Sequence, residues 1–208
     1  MRMVLTALIL MAVVPARAQG QTAPGPVARG DVSASLGWFS ADHEGTSQCC
    51  TWSSGLFRGL QGGYYWTDHL KTELEIAAAG ETELYSYSPV PVGPGFTHVA
   101  EHHRYRDVLV SGGQFYQFGR NAYFHPFVGA GLDVDRERHE VEFESFTSTG
   151  TRIVTTESIS TRVLVRPFMV GGFKAYFSER VFFRTDLKAA FSNSLDQITW
   201  RLGFGIDF

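Results

Sequence analysis

A chain of 208 residues with 18 basic and 21 acidic side chains has room for one domain of ordinary size. Its net charge of -3 leaves no basic excess with which to grip phosphates, so nucleic acid is excluded as a partner. The 22 glycines and 14% aromatic residues favour strands over a helical domain.

Residues 1–18 read as a secretory leader. Arg2 is the basic start, Met3 to Val14 is apolar except for Thr6, and Pro15 precedes the small-residue cleavage pattern Ala16-Arg17-Ala18. The apolar run is too short to span a bilayer as a helix, which takes roughly 20 residues. Export places the mature chain where disulfides form. Residues 19–30, rich in Pro and Gly, read as a periplasmic linker.

From Asp31 to Phe208 the pattern is period-two alternation interrupted by turns, and it predicts eight strands. Val32, Ala34, Leu36 and Trp38 alternate with Ser33, Ser35 and Gly37. A polar loop follows over about 41–55; its adjacent Cys49 and Cys50 close almost no ring, so a bridge there would staple little. The second strand runs roughly from Leu56 to Trp66. The third sets Leu70, Leu74, Ile76 and Ala78 against Lys71, Glu73, Glu75 and Ala77.

Residues 80–103 read as a long loop, because Pro89, Pro91 and Pro94 make it irregular. His98, His102 and His103 of that loop, with His43 and His139, are expected to be solvated. The fourth strand is predicted at Tyr105–Phe118, with Gln114 out of place on an apolar face. The fifth sets Phe124, Val128, Ala130, Leu132 and Val134 against His125, Gly129, Gly131, Asp133 and Asp135. Residues 136–160 alternate Val141 and Phe143 with acids and predict a two-stranded extension beyond the barrel.

Val163, Val165, Met169, Phe173 and Phe177 then oppose Arg162, Arg166 and Lys174. Val181, Phe183, Leu187, Ala189 and Phe191 oppose Arg184, Asp186, Lys188 and Ser192. The last segment is the cleanest, with Ile198, Trp200, Leu202, Phe204, Ile206 and Phe208 on one face and Gln197, Thr199, Arg201, Gly203, Gly205 and Asp207 on the other.

Short connections at Thr67-Asp68, Gly119-Arg120-Asn121 and Ser178-Glu179 alternate with long ones. An even number of antiparallel strands with tight turns at one end predicts a transmembrane barrel, all-β and eight-stranded, with short periplasmic turns and long extracellular loops. A soluble barrel would show the same period with its apolar face inward. Charges of both signs in mid-strand argue for the apolar face outward. Lys71, Glu73, Glu75, Asp133, Arg162, Arg166, Arg184, Asp186, Lys188 and Arg201 are expected to pair inside a lumen only wide enough for side chains. Aromatics beside every short turn (Tyr64, Tyr65, Trp66; Tyr116, Phe118; Tyr123, Phe124; Tyr176, Phe177; Phe182, Phe183) predict a girdle at one bilayer surface.

The segments His125-Pro126-Phe127-Val128-Gly129-Ala130-Gly131-Leu132 and Arg166-Pro167-Phe168-Met169-Val170-Gly171-Gly172-Phe173 resemble strands of the small outer-membrane β-barrel superfamily, of the OmpA/OmpX kind. Arg201, Gly203, Ile206 and Phe208 resemble the C-terminal signal by which the barrel-assembly machinery recognises such chains. The resemblance covers residues 31–208 and implies a bacterial outer-membrane location with lipid and lipopolysaccharide as surroundings. A peptidoglycan-binding domain of the OmpA kind is not expected. Lipid A deacylases of this fold carry a His-x-Ser pair on a late strand. Here Ala190 and Phe191 precede Ser192 where the His base is needed, which argues against that enzyme. The expectation is a monomeric, non-enzymatic structural or surface-interaction protein with no catalytic residues, cofactor or metal site. A narrow pore is the main alternative.

Overall fold

The computed structural model describes residues 29–43, 52–88, 96–118, 123–147 and 152–208. The predicted leader, most of the linker and Cys49-Cys50 lie outside the described residues. Eight strands are formed: β1 (Gly30–Asp42), β2 (Trp52–Tyr65), β3 (Leu70–Ser88), β4 (Phe96–Gln117), β5 (Phe124–Thr147), β6 (Arg152–Tyr176), β7 (Val181–Phe191) and β8 (Leu195–Asp207). Each is antiparallel to the next, and β8 returns to β1 through pairs running from Asp31↔Asp207 to Ala41↔Gln197. Within the barrel itself closure leaves no unpaired sheet edge.

The short turns are made by side chains that accept backbone hydrogen bonds. Thr67 Oγ1 accepts from the Leu70 NH at 2.9 Å, and Ser178 Oγ accepts from the Val181 NH at 3.1 Å. A hydroxyl at the first turn residue thus satisfies a donor the ladder cannot reach.

The apolar face points outward. Leu36, Leu60, Leu74, Ile76, Val163, Met169 and Phe204 are all exposed on the barrel's outer wall, while Arg201, Lys174, Lys188 and Arg184 are buried inside it. That is the inverse of a soluble barrel. Gln114, which breaks the apolar pattern, donates to Thr72 Oγ1 across the β3–β4 pair at 2.7 Å, and Trp66 Nε1 donates to the same oxygen at 2.7 Å. A polar pair on the outer wall is thereby internally satisfied.

Three expectations are corrected. Residues 80–103 are not a loop: β3 runs to Ser88 and β4 begins at Phe96, leaving the prolines between the strands. Cross-strand charge pairs support this stretch, among them Arg106 to Glu81 at 2.8 Å and Arg104 to Glu142 at 3.0 Å. The aromatic girdle is smaller than the predicted set by three rings. Adjacent residues point to opposite faces, so Tyr64, Trp66, Tyr116, Phe118, Tyr123, Phe124 and Phe177 lie outside. Tyr65, Tyr176 and Phe182 turn inward instead. A second set of rings, Trp38, Trp200 and Trp52, stands on the outer wall toward the opposite end.

Thirdly, the lumen is not filled by charge alone. Phe39, Phe57 and Leu109 form one buried cluster with alanines, and Phe115, Phe127 and Phe168 form another. The glycines of the Pro-Phe-Val-Gly-Ala-Gly segment explain how these rings fit. A Cβ on Gly129 would sit 2.7 Å from the Phe115 ring, and one on Gly131 would sit 2.1 Å from the Gly112 carbonyl oxygen and 2.8 Å from the Phe168 ring. These two positions admit only hydrogen.

β4, β5 and β6 contain 22, 24 and 25 residues, against the 9–11 or so that cross a bilayer. They overshoot the barrel as a ridge on one side, as the sequence predicts for β5 and β6; β4 joins them, and so does the end of β3, paired with β4 from Thr82 to Ser88.

Candidate functional site

Alternation places every second residue of each strand in the lumen, and the polar ones meet in tiers. At the short-turn end, Lys71 Nζ reaches Asp31 at 2.9 Å and Glu73 at 2.5 Å. Lys174 pairs with the same Asp31 and lies 3.4 Å from Asp207, its ammonium 3.8 Å from the centre of the Phe182 ring. Tyr65 donates to Asp31 at 3.0 Å and Tyr176 to Asp207 at 2.6 Å.

One tier up, Arg184 joins β7 to β3 through Glu73 at 2.7 Å and also bonds Asp186 at 2.6 Å. Arg201 bridges Asp186 at 2.5 Å to Glu75, and Gln61 donates to Glu75 at 2.8 Å. Lys188 collects Asp133 at 2.6 Å, Ser111 at 2.8 Å and Glu75 at 3.2 Å. Above it Arg166 pairs with Asp135 at 2.9 Å. Each ammonium or guanidinium therefore faces more than one carboxylate, the condition under which buried charge is tolerable.

Of the predicted lumen residues, Lys71, Glu73, Glu75, Asp133, Arg166, Arg184, Asp186, Lys188 and Arg201 come together in this way. Arg162 does not. It lies at the long-loop mouth, half exposed, and grips Glu137 with two hydrogen bonds of 2.7 and 3.0 Å. The reason is length: β6 runs so far that Arg162 clears the belt. Sequence reasoning passed over Asp31, Lys174, Asp207 and Asp135, although each falls on the polar face of its strand.

The histidines are a larger correction: His98, His102 and His103 lie on β4 and His139 on β5, and His43, just past the end of β1, is not solvated. His43 is buried, with Nδ1 donating to Glu137 at 3.2 Å and Nε2 2.7 Å from Ser53 Oγ. Its ring stacks on Tyr105 at 3.6 Å, Tyr105 stacks on His139 at 4.3 Å, and His139 Nε2 lies 3.0 Å from His103 Nδ1. The column lies at the long-loop end, beyond the Arg166–Asp135 pair. Burial and the adjacent His103 hold the His139 imidazole below the ordinary histidine range. Burial raises Glu137, but hydrogen bonds from His43 and Arg162 outweigh it and bring the carboxyl to about 2. Burial, then Glu137, pushes the Tyr105 phenol up to about 12. The signal was present in sequence, since His103 and Tyr105 share one face of a strand, but it was hidden once that stretch was read as a loop. His102 is on β4 and contacts Glu144 at 3.1 Å; the His98 side chain is outside the described residues.

Among the described residues no group of three or more His, Cys, Asp or Glu is arranged to hold a metal ion. Ser192 sits in the β7–β8 turn, where its NH donates to the Ser194 carbonyl at 3.2 Å. Of the residues resembling the C-terminal signal, Arg201 is buried in the lumen network, Ile206 and Phe208 lie on the outer wall, and Gly203 packs against the Ala34 carbonyl, where a Cβ would come within 2.5 Å. The Phe208 NH donates to Gly30 at 2.8 Å, joining the last residue to β1.

Solved structures share this architecture at low identity, a likeness of fold. OprG from Pseudomonas aeruginosa aligns with a TM-score of 0.54 at 14% identity, covering 87% of this chain and 97% of that one. The N-terminal β-barrel domain of Pseudomonas aeruginosa OprF gives 0.53 at 16% identity, with 87% and 98% covered. Neisserial surface protein A gives 0.51 at 12% identity, with 86% and 97% covered. No curated protein matches the sequence. The family described as Outer membrane protein beta-barrel domain matches residues 5–208, nearly the whole chain. With an apolar belt outside, ion pairs inside and closure from β8 to β1, the chain belongs to that family and is a β-barrel of the bacterial outer membrane.

Proposed function

We propose that this protein is a monomeric, non-enzymatic surface platform of the outer membrane. The barrel is its anchor, the filled lumen makes that anchor rigid and impermeable, and the β4–β6 ridge meets an extracellular partner. The observation that carries the reading is the run of ion pairs from Asp31 at the periplasmic end to Glu137 at the mouth, bridged across the barrel by Arg184, Arg201 and Lys188. A solute passing through would have to break several pairs that water repays poorly in so narrow a space. The assembly machinery is the partner during insertion, with Arg201, Gly203, Ile206 and Phe208 as its signal.

The test is conductance in planar bilayers. The wild-type barrel is expected to be electrically silent, and Glu73→Gln or Arg184→Gln to admit brief openings at most. Steady wild-type openings whose ion selectivity changes in Glu73→Gln would establish a narrow pore instead. Lipid A from cells producing the protein is expected to have an unaltered mass spectrum; a missing acyl chain would make it an enzyme.

A further inference from the structure

The outer wall of an outer-membrane barrel is costly ground for a cation, yet Arg58 stands on it. On β2 the outward series reads Ser54, Leu56, Arg58, Leu60, Gly62, Tyr64. Arg58 is exposed, and among the described residues it has neither hydrogen-bond nor ion-pair partner. It stands six positions above the girdle residue Tyr64. At about 3.3 Å per residue and a strand tilt of ~40°, that is about 15 Å up a belt roughly 25 Å tall. Arg58 therefore stands in the outer-leaflet half, where a snorkelling side chain extends toward headgroups.

Beside it the wall is indented. A groove of about 940 Å³ is lined by Arg58 and by outward residues of five strands, β1 to β4 and β8, with Ala34 and Ala78 as its floor between the taller Leu60, Ile76 and Phe204. Its one cationic lining residue is Arg58. From the groove's edge at Val108 a row of cross-strand neighbours leads to a second arginine: Arg58 pairs with Ala78, Ala78 with Val108 and Val108 with Arg136. Arg136 is also exposed on the outer wall. Three strand spacings put the two arginines about 14 Å apart.

We propose that this groove binds a phosphorylated, acylated lipid of the outer leaflet, with an acyl chain over Ala34 and Ala78 and a phosphate on Arg58. A guanidinium is satisfied by a bidentate anion, and the surrounding hydrocarbon offers nothing else to pair with it. Arg136 is placed to take a second phosphate of the same lipid. The site rests on the outer-membrane placement alone, so a conductance result against the closed lumen would leave it standing.

The experiment compares wild type, Arg58→Gln, Arg58→Lys and Arg136→Gln in phosphatidylcholine vesicles containing either lipid A or the same lipid with its phosphates removed. Thermal unfolding is read by loss of the heat-modifiable band. Lipid retained through detergent purification is counted by mass spectrometry. Lipid A is expected to raise the wild-type unfolding temperature and its dephosphorylated form not to. Arg58→Gln should retain roughly tenfold less lipid A, the order of one charge-assisted hydrogen bond, with partial rescue in Arg58→Lys. Equal stabilisation by both lipids, or equal retention by wild type and Arg58→Gln, would overturn the proposal and leave the groove an ordinary lipid contact. Arg58→Gln is expected to fold, since the arginine has no hydrogen-bond or ion-pair partner among the described residues. If it fails to assemble in both vesicle types while Arg58→Lys assembles, Arg58 serves the protein and the proposal falls.

Discussion

Arg201 holds two carboxylates from two other strands, Asp186 at 2.5 Å and Glu75, in a lumen where it is almost fully buried. Its replacement by Met leaves both acids short of charge in a confined space. Urea unfolding in vesicles should show a loss of about 3–5 kcal/mol, the cost of breaking one side of a buried pair. A loss below about 1 kcal/mol would mean that the lumen is wet enough to repay the charge. Asp107 predicts the opposite sign. It is 2% exposed and neither carboxylate oxygen has a hydrogen-bond partner among the described residues. Asp107→Asn should stabilise by about 1 kcal/mol or more in the same assay, because an unpartnered buried acid is a standing cost. At this scale the polar face was readable: Lys71, Glu73 and Glu75 alternate too regularly to be anything but one face of a strand. The inward rings were readable in the same alternation but not from position beside a turn. Phe183 falls with Val181 and Leu187, which turns its neighbour Phe182 inward with Arg184.

The elements divide into those that cross the membrane and those that leave it. In β8, Leu202 faces outward between Trp200 and Phe204, and its register partners Leu36 and Thr185 place it well inside the belt. Leu202→Arg should destabilise by about 2–4 kcal/mol, measured by urea titration in vesicles. No measurable change would mean that this face is not toward lipid. The ridge answers to pH instead. His139 in the folded ridge binds its proton less readily than a free histidine, whose value is near 6.5. Acid therefore favours the open ridge: its stability is intact above about 6.5 and falls as pH drops below that. The groups facing His139 are Tyr105 and His103 on β4, with Glu137 and His43 nearby. Amide exchange in β4 and β5 beyond Arg104 and Arg136 should quicken between pH 7.5 and 5, and unchanged protection would sink the idea. The ends of these elements were the least legible part of the sequence. Prolines at 89, 91 and 94 break only the tip, and the cross-strand salt bridges that carry β3 and β4 up to it join residues far apart in sequence.

For the molecule as a whole, strand number and antiparallel order followed from period two and the turns, because a closed barrel repeats one rule around its circumference, and the outward apolar face followed from the mid-strand charges opposite it. The tiers of the lumen did not. Which cation meets which carboxylate depends on shear and tilt, and neither leaves a mark on a single strand. The account's central claim is that greasy side chains meet lipid while the interior is packed shut, and both halves are open to one scan. Single cysteines at Leu36, Trp200, Ser35 and Thr199, in a Cys49→Ser/Cys50→Ser background, are exposed in vesicles to a charged thiol reagent and, separately, to a lipid-borne quencher acting on an attached probe. Leu36→Cys and Trp200→Cys should resist the charged reagent and be reached from lipid; Ser35→Cys and Thr199→Cys should be reached by neither. Rapid reaction of Ser35→Cys or Thr199→Cys with the charged reagent would contradict the account.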